Sequence, residues 1–206
     1  MLSRPARPKK RPANIRGAIL NAARRLYFAH GIEGITARKI AQAVGCSPTA
    51  IYLYYENIGD LVEHLRIEGH ALLADYLRAV DARLPPVERV RAMGRAYYRF
   101  GLENRHYYAL MFGLRPTETP RREAIQREMH TLMLLRDVVQ AGLETGDIRS
   151  GRDAMVLTNA LWAQIHGVTA LAVSRLLFET APQQHEAVLE TVLDTAVRSL
   201  RGDEQC

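Results

Sequence analysis

Residues 34–61 read Gly34-Ile-Thr-Ala-Arg-Lys-Ile-Ala-Gln-Ala-Val-Gly-Cys-Ser-Pro-Thr-Ala-Ile-Tyr-Leu-Tyr-Tyr-Glu-Asn-Ile-Gly-Asp-Leu61. Thr36 is a good N-cap, and Ile40, Ala43 and Val44 recur at the spacing of one helical face, which predicts a first short helix over 36–44. Gly45 supplies the left-handed residue that ends it. Ser47 can cap the next helix and Pro48 fits its first position, where a missing N–H costs nothing. The second helix is therefore expected over 48–55, with Ile51 inward, the small Ser47 and Thr49 outward, and Tyr52 partly in the core.

Two short helices hinged at a glycine are a device for entering a DNA groove, and the charge distribution agrees. Residues 1–60 hold ten Lys or Arg against three Asp or Glu, a balance of +7, while the remainder holds 18 against 19, a balance of −1. The excess charge thus surrounds the helix-turn-helix, as a phosphate-binding module requires.

The run Ile15-x3-Ile19-x2-Ala22-Ala23-x2-Leu26-Tyr27-x3-Gly31, continued by Thr36-x3-Ile40-Ala41-x2-Val44-Gly45-x-Ser47-x3-Ile51-Tyr52-x-Tyr54-Tyr55-x5-Leu61, closely resembles the N-terminal domain of TetR-family transcriptional regulators. The resemblance implies an all-α, nine-helix fold: a three-helix DNA-binding domain followed by a helical bundle for ligand binding and dimerisation. Among the residues matching family positions at the DNA surface, Arg38, Ser47 and Thr49 are expected nearest the bases, Thr36 and Tyr54 on phosphates, with Pro48 and Tyr52 beside them. The chain departs from the family pattern at Ile58, where a lysine usually grips a DNA phosphate. Lys9, Lys10 and Arg11 in the basic arm would take over part of that task.

The domain reading is a basic arm over 1–13, a DNA-binding domain over 14–60 and an effector and dimerisation domain over 61–206. The arm, with Pro5, Pro8 and Pro12 among its charges, reads as disordered and suited to tracking phosphates or entering a minor groove. No apolar run follows it, which argues against a secretory signal, and Cys46 and Cys206 have no metal or redox spacing, so the expected compartment is the cytoplasm. Beyond the second short helix, further helices are expected near 57–83, 86–104, 106–113, 119–145, 152–178 and 183–201, with one before it near 14–30. No strand pattern, Gly-rich phosphate loop, Glu-x2-His pair or nucleophile motif is present, so an enzyme has no support.

Residues 154–174 carry no charge, yet Thr158, Asn159, Gln164, His166, Thr169 and Ser174 interrupt them, which argues against a membrane span. So uncharged a helix calls for cover on most sides, which predicts a homodimer. Leu161, Val168 and Leu171 on this helix, with Val188, Val192 and Ala196 on the last, are the expected interface, and the family resemblance implies a four-helix bundle there. Leu161-Trp-Ala-Gln-Ile-His166-Gly167 and Asn104–Gly113 are similar to one TetR subgroup with a Trp-x3-His-Gly signature. Tyr97, Phe100, Tyr107, Met111, Phe112, Met129, Met133, Trp162 and His166 are the candidate walls of a mainly apolar ligand cavity, the alternative being that they are core. The functional expectation is a repressor released from a pseudo-palindromic double-stranded operator by a small-molecule effector, with no cofactor. A metal-responsive regulator and an effector-independent DNA-binding protein are the alternatives, although His64, His70, His106, His130 and His166 lack ligand spacing.

Overall fold

The computed structural model describes residues 14–113, 122–177 and 182–202. Lys9, Lys10 and Arg11 lie outside these residues. Nine α-helices follow one another among the described residues: α1 Ile15–His30, α2 Ala37–Val44, α3 Pro48–Ile51, α4 Ile58–Arg78, α5 Pro86–Glu103, α6 Arg105–Phe112, α7 Arg122–Thr145, α8 Ala154–Val173 and α9 Pro182–Arg201. The chain divides into two compact units with the boundary inside α4, the first running through Arg66 and the second starting at Ile67. This is later than residue 60, because the first two turns of α4 are tied to α1 by side-chain bonds described below.

In the first unit each short helix is fixed by a cap. The Asn14 side chain accepts from Gly17 N at 2.9 Å, Thr36 Oγ1 from Lys39 N at 3.3 Å, and Ser47 Oγ from Ala50 N at 3.2 Å. Gly45 ends α2 at φ 82°, the left-handed region, and Pro48 opens α3. Ile19, Ile40 and Ile51 are fully buried and join the three helices. Helix α3 is shorter than expected. Beyond Ile51 the chain tightens into turns, Tyr52 N bonding Thr49 O at 3.2 Å and Tyr54 N bonding Ile51 O at 3.0 Å.

In the second unit α5 is the central helix, packed by α7, α8 and α9. It has no cap from its own N-terminal neighbour. Instead Asp147, from the loop after α7, accepts from Val87 N at 2.8 Å. Close approach of α5 to α8 depends on Gly101, where a Cβ would stand 2.4 Å from Thr169 Cγ2. The buried Thr158 and Thr169 are satisfied within α8, donating to Ala154 O at 2.7 Å and Ile165 O at 2.6 Å. Among the described residues α8 alone is long and apolar enough to cross a bilayer, but one side of it is core.

That core changes the interface reading. Leu161, Val168 and Ala196 are buried within this chain, and Val188 and Val192 are half-buried against the same core with part of their surface left open. Leu171, 43% exposed, does lie on the open face of α8, together with Val156, Ala160, Ala163 and Gly167. Helix α8 also stops earlier than expected: Arg175 adopts φ 57° and Leu176 N reaches back to Leu171 O at 2.8 Å, a left-handed stop made without glycine.

Candidate nucleic-acid interface and inner aromatic cluster

Arg38, Ser47, Pro48, Thr49, Tyr52 and Tyr54 are all exposed, while Ala50, Ile51 and Tyr55 beside them are buried. The alternation follows from the helical period, and it leaves one polar, hydroxyl-rich surface with Arg38 and Lys39 on the preceding helix. Tyr52 is 50% exposed, so it belongs to this surface and not to the core. Its neighbour Leu53, 77% exposed, was not singled out in the sequence, where it reads as an ordinary apolar residue. Thr36 and Ser47 spend one lone pair each on their caps and keep the hydroxyl proton for a partner.

The surface is held from beneath by α1 and α4. Tyr55 donates its hydroxyl to Arg16 O at 3.1 Å, and its ring meets His64 edge-on at 5.2 Å. Arg16 donates to His64 Nε2 at 3.0 Å; a guanidinium only donates, so Nε2 accepts and Nδ1 carries the proton toward Asp60, 2.9 Å from its carbonyl and 3.1 Å from its carboxylate. Asp60 in turn accepts from Glu56 N at 2.9 Å, while Asn57 accepts from Asp60 N at 2.8 Å, a reciprocal arrangement close to a capping box. The departure Ile58-Gly59-Asp60 is thus a strong helix start, in which Asp60 anchors the loop that follows the reader helix.

In the second unit Tyr97, Phe112, Trp162 and His166 come together, and Tyr108 joins them. The Tyr97 and Tyr108 hydroxyls each lie 2.9 Å from His166 Nδ1, and Tyr108 stacks on the imidazole at 5.6 Å. Phe112 meets His166 at 4.7 Å and Trp162 at 6.3 Å. Burial pushes the Tyr97 hydroxyl up to about 12 and raises Tyr108 as well, while it lowers His166, so all three are neutral near pH 7. Nδ1 offers a single bonding site, which the two phenols share, and among the described residues Nε2 has no hydrogen-bond partner. Tyr108 was legible in principle, since it shares a helical face with Met111 and Phe112.

The other candidate wall residues do not join this cluster. Phe100 is fully buried and its ring pairs with Tyr76 at 5.6 Å, as core. Met129 is 53% exposed. Tyr107 donates to the Glu68 carboxylate at 2.8 Å, Met111 is buried over Gly69, and Met133 is half-buried. Among the described residues no three His, Cys, Asp or Glu side chains converge as metal ligands.

Residues 19–65 match the family described as bacterial regulatory proteins, tetR family, and residues 90–196, more than half of the chain, match the tetracyclin repressor-like C-terminal domain. An HTH-type transcriptional regulator of Mycobacterium tuberculosis is 28% identical over 148 residues, covering 68% of this chain and 63% of that protein. The chain thus spans just under two thirds of the length of the first curated relatives it matches. A Rhodococcus sp. RHA1 protein of unknown function superposes with TM-score 0.81 at 23% identity, over 95% of this chain and all of its own. The regulator FadR from Bacillus subtilis, solved with stearoyl-CoA, superposes with TM-score 0.70 at 18% identity over 89% of this chain and 98% of its own.

Proposed function

The chain belongs to the TetR family, and on that premise we propose that it is a homodimeric, sequence-specific DNA-binding transcriptional repressor, released from its operator by a small ligand. The observation that carries the proposal is the exposed surface Arg38, Ser47, Thr49, Tyr52 and Tyr54, raised on two capped helices whose opposite faces are buried. Small hydroxylated residues at the start of α3 suit close entry to the major groove, where Thr49 and Arg38 read base edges while Thr36 and Tyr54 meet phosphates. Lys9, Lys10 and Arg11 add sequence-independent attraction. Such a protein works in the cytoplasm, on the nucleoid.

Dimerisation is supported by the uncovered stripe Val156, Ala160, Ala163, Gly167 and Leu171 on α8, whose small residues permit close helix approach to a second copy. Two readers then meet half-sites about 34 Å apart along the duplex. Repression is supported by the tetracyclin repressor-like description of the C-terminal match.

The aromatic cluster supports an effector site in the second unit: Trp162, Phe112 and Tyr97 give an apolar wall and His166 Nε2 one polar contact. The Trp162-x3-His166-Gly167 run supports membership of the Trp-x3-His-Gly subgroup. Helix α4 belongs to both units and is the covalent route by which ligand binding would compete with DNA binding.

The test is to incubate the protein with sheared genomic DNA at about 0.15 M salt and sequence what it retains. Recurrent inverted half-sites are the expected result. Even coverage of the genome would contradict sequence-specific control and favour the effector-independent DNA-binding reading.

A further inference from the structure

The side of α5 that carries Tyr98 and Arg99 opens on a different space. A cleft of about 1020 Å³ is bounded by that face, the end of α4, the last residues of α8 with Arg175 beyond them, and the start of α9. None of the five residues of the aromatic cluster lines it.

Among the described residues, two buried polar atoms on its walls have nothing to bond. Tyr98 is 7% exposed and its hydroxyl has no hydrogen-bond partner; His185 Nε2 is likewise buried and unpartnered. Buried polar groups are paired almost without exception, so two orphans on one cleft mark a place where a ligand completes the bonding.

The charges at the rim give its sign. Arg95 is taken up by Glu190 at 2.6 Å, Asp81 by Arg83 at 2.8 Å, and Glu103 by the Tyr76 hydroxyl. Arg99 lies over the Tyr76 ring at 5.4 Å, and Arg105 bonds only a main-chain carbonyl, at 3.3 Å. Among the described residues Arg99, Arg105 and Arg175 have no carboxylate within ion-pair reach, and of the lining acids Glu103, held by the Tyr76 hydroxyl, and Glu186 have no cationic partner. Arg175 is set on this rim by the left-handed stop of α8, where it is the one non-glycine residue at positive φ among the described residues. Burial raises the Tyr98 hydroxyl, Glu186 pushing the same way and Arg105 opposing, so it stays a donor at neutral pH.

We infer that this cleft is a second ligand site, distinct from the aromatic cluster, that takes an amphipathic carboxylate. The carboxylate accepts from the Tyr98 hydroxyl and faces the guanidinium groups of Arg99, Arg105 and Arg175; the apolar body lies along Val80, Leu84, Leu177 and Leu189. No basic motif announced this in the sequence, because the arginines come from α5, α6 and the residue pair after α8.

The experiment is calorimetric titration of the full chain with sodium octanoate and with octan-1-ol, both below aggregation, while following emission of Trp162, the chain's one tryptophan. Octanoate should bind at least tenfold more tightly than the alcohol and leave Trp162 emission unchanged. Tyr98→Phe and Arg99→Ala should each weaken octanoate at least threefold, with helical circular dichroism and melting retained. Should Tyr98→Phe prove badly folded, Arg105→Ala on the exposed rim asks the same question. Absence of octanoate binding, equal binding of the alcohol, or octanoate binding that shifts Trp162 emission and survives the cleft substitutions would each overturn the inference.

Discussion

The hydroxyl of Tyr55 donates to the main-chain carbonyl of Arg16 at 3.1 Å, joining the residue that follows the reader segment to the first helix. Tyr55→Phe keeps the ring against His64 and removes this bond. The expected loss is ~1 kcal/mol of stability, read from the urea midpoint. DNA affinity should fall with it, because the reader is then held less firmly; unchanged stability and unchanged affinity together would show that the bond positions nothing.

Burial of His166 predicts a pH-sensitive second unit. Burial lowers its folded-state pKa below the ordinary 6.5, so between those values the unfolded chain binds the proton more readily than the folded one. Its contribution is therefore intact above pH 6.5 and is lost as pH falls toward the folded value. His166→Asn should narrow the drop in melting temperature between pH 7.5 and pH 5.5; an identical drop in both proteins would assign the sensitivity elsewhere.

Packing of α5 on α8 depends on the absence of a side chain at Gly101. A methyl group there would stand 2.4 Å from Thr169 Cγ2, and Thr169 is fixed by burial and by its bond to Ile165 O. Gly101→Ala should destabilise by ~1–3 kcal/mol, the usual result of overpacking a tight core. A neutral or stabilising outcome in thermal melting would mean that α5 and α8 separate easily.

Arg91 and Arg95 both reach Glu190 on α9, at 2.9 and 2.6 Å, and hold its carboxyl down at about 2. A depressed carboxylate stabilises the fold above its ordinary value near 4.5 and loses that effect as pH falls toward 2. The group is still partly open to solvent, so Glu190→Gln should cost less than about 1 kcal/mol at pH 7, less again in high salt, and nothing near pH 2. Denaturation at several pH values separates this from a purely steric effect, which would not vary.

The reader was legible because capping and turn residues are local signals: Thr36, Gly45, Ser47 and Pro48 each act within three or four positions of where they stand. Helix ends without such residues were not. Arg175 performs the left-handed stop that glycine usually marks, so the sequence pattern carries α8 past its true end, and it carries α3 too far because nothing in Tyr52–Tyr55 announces a change from helix to turn. Which faces of α8 and α9 meet a second copy is hard to read for a different reason. Leu161, Val168 and Ala196 are apolar at helical spacing, but spacing does not say whether a face meets its own chain or another. Tyr97, Phe112, Trp162 and His166 were found through aromatic character and local spacing, whereas the arginine-rimmed cleft depends on contacts between residues about 70 to 90 positions apart.

Sequence-specific reading by α3 is the central claim, and selection from a random duplex library at about 0.15 M salt, run in parallel with wild type and Thr49→Ala, tests it most directly. The wild type should enrich a pseudo-palindrome, and Thr49→Ala the same sequence with one position per half-site relaxed, by ~1–3 kcal/mol of lost discrimination. Enrichment of nothing by the wild type, or an equal loss on every sequence in the variant, would contradict the account.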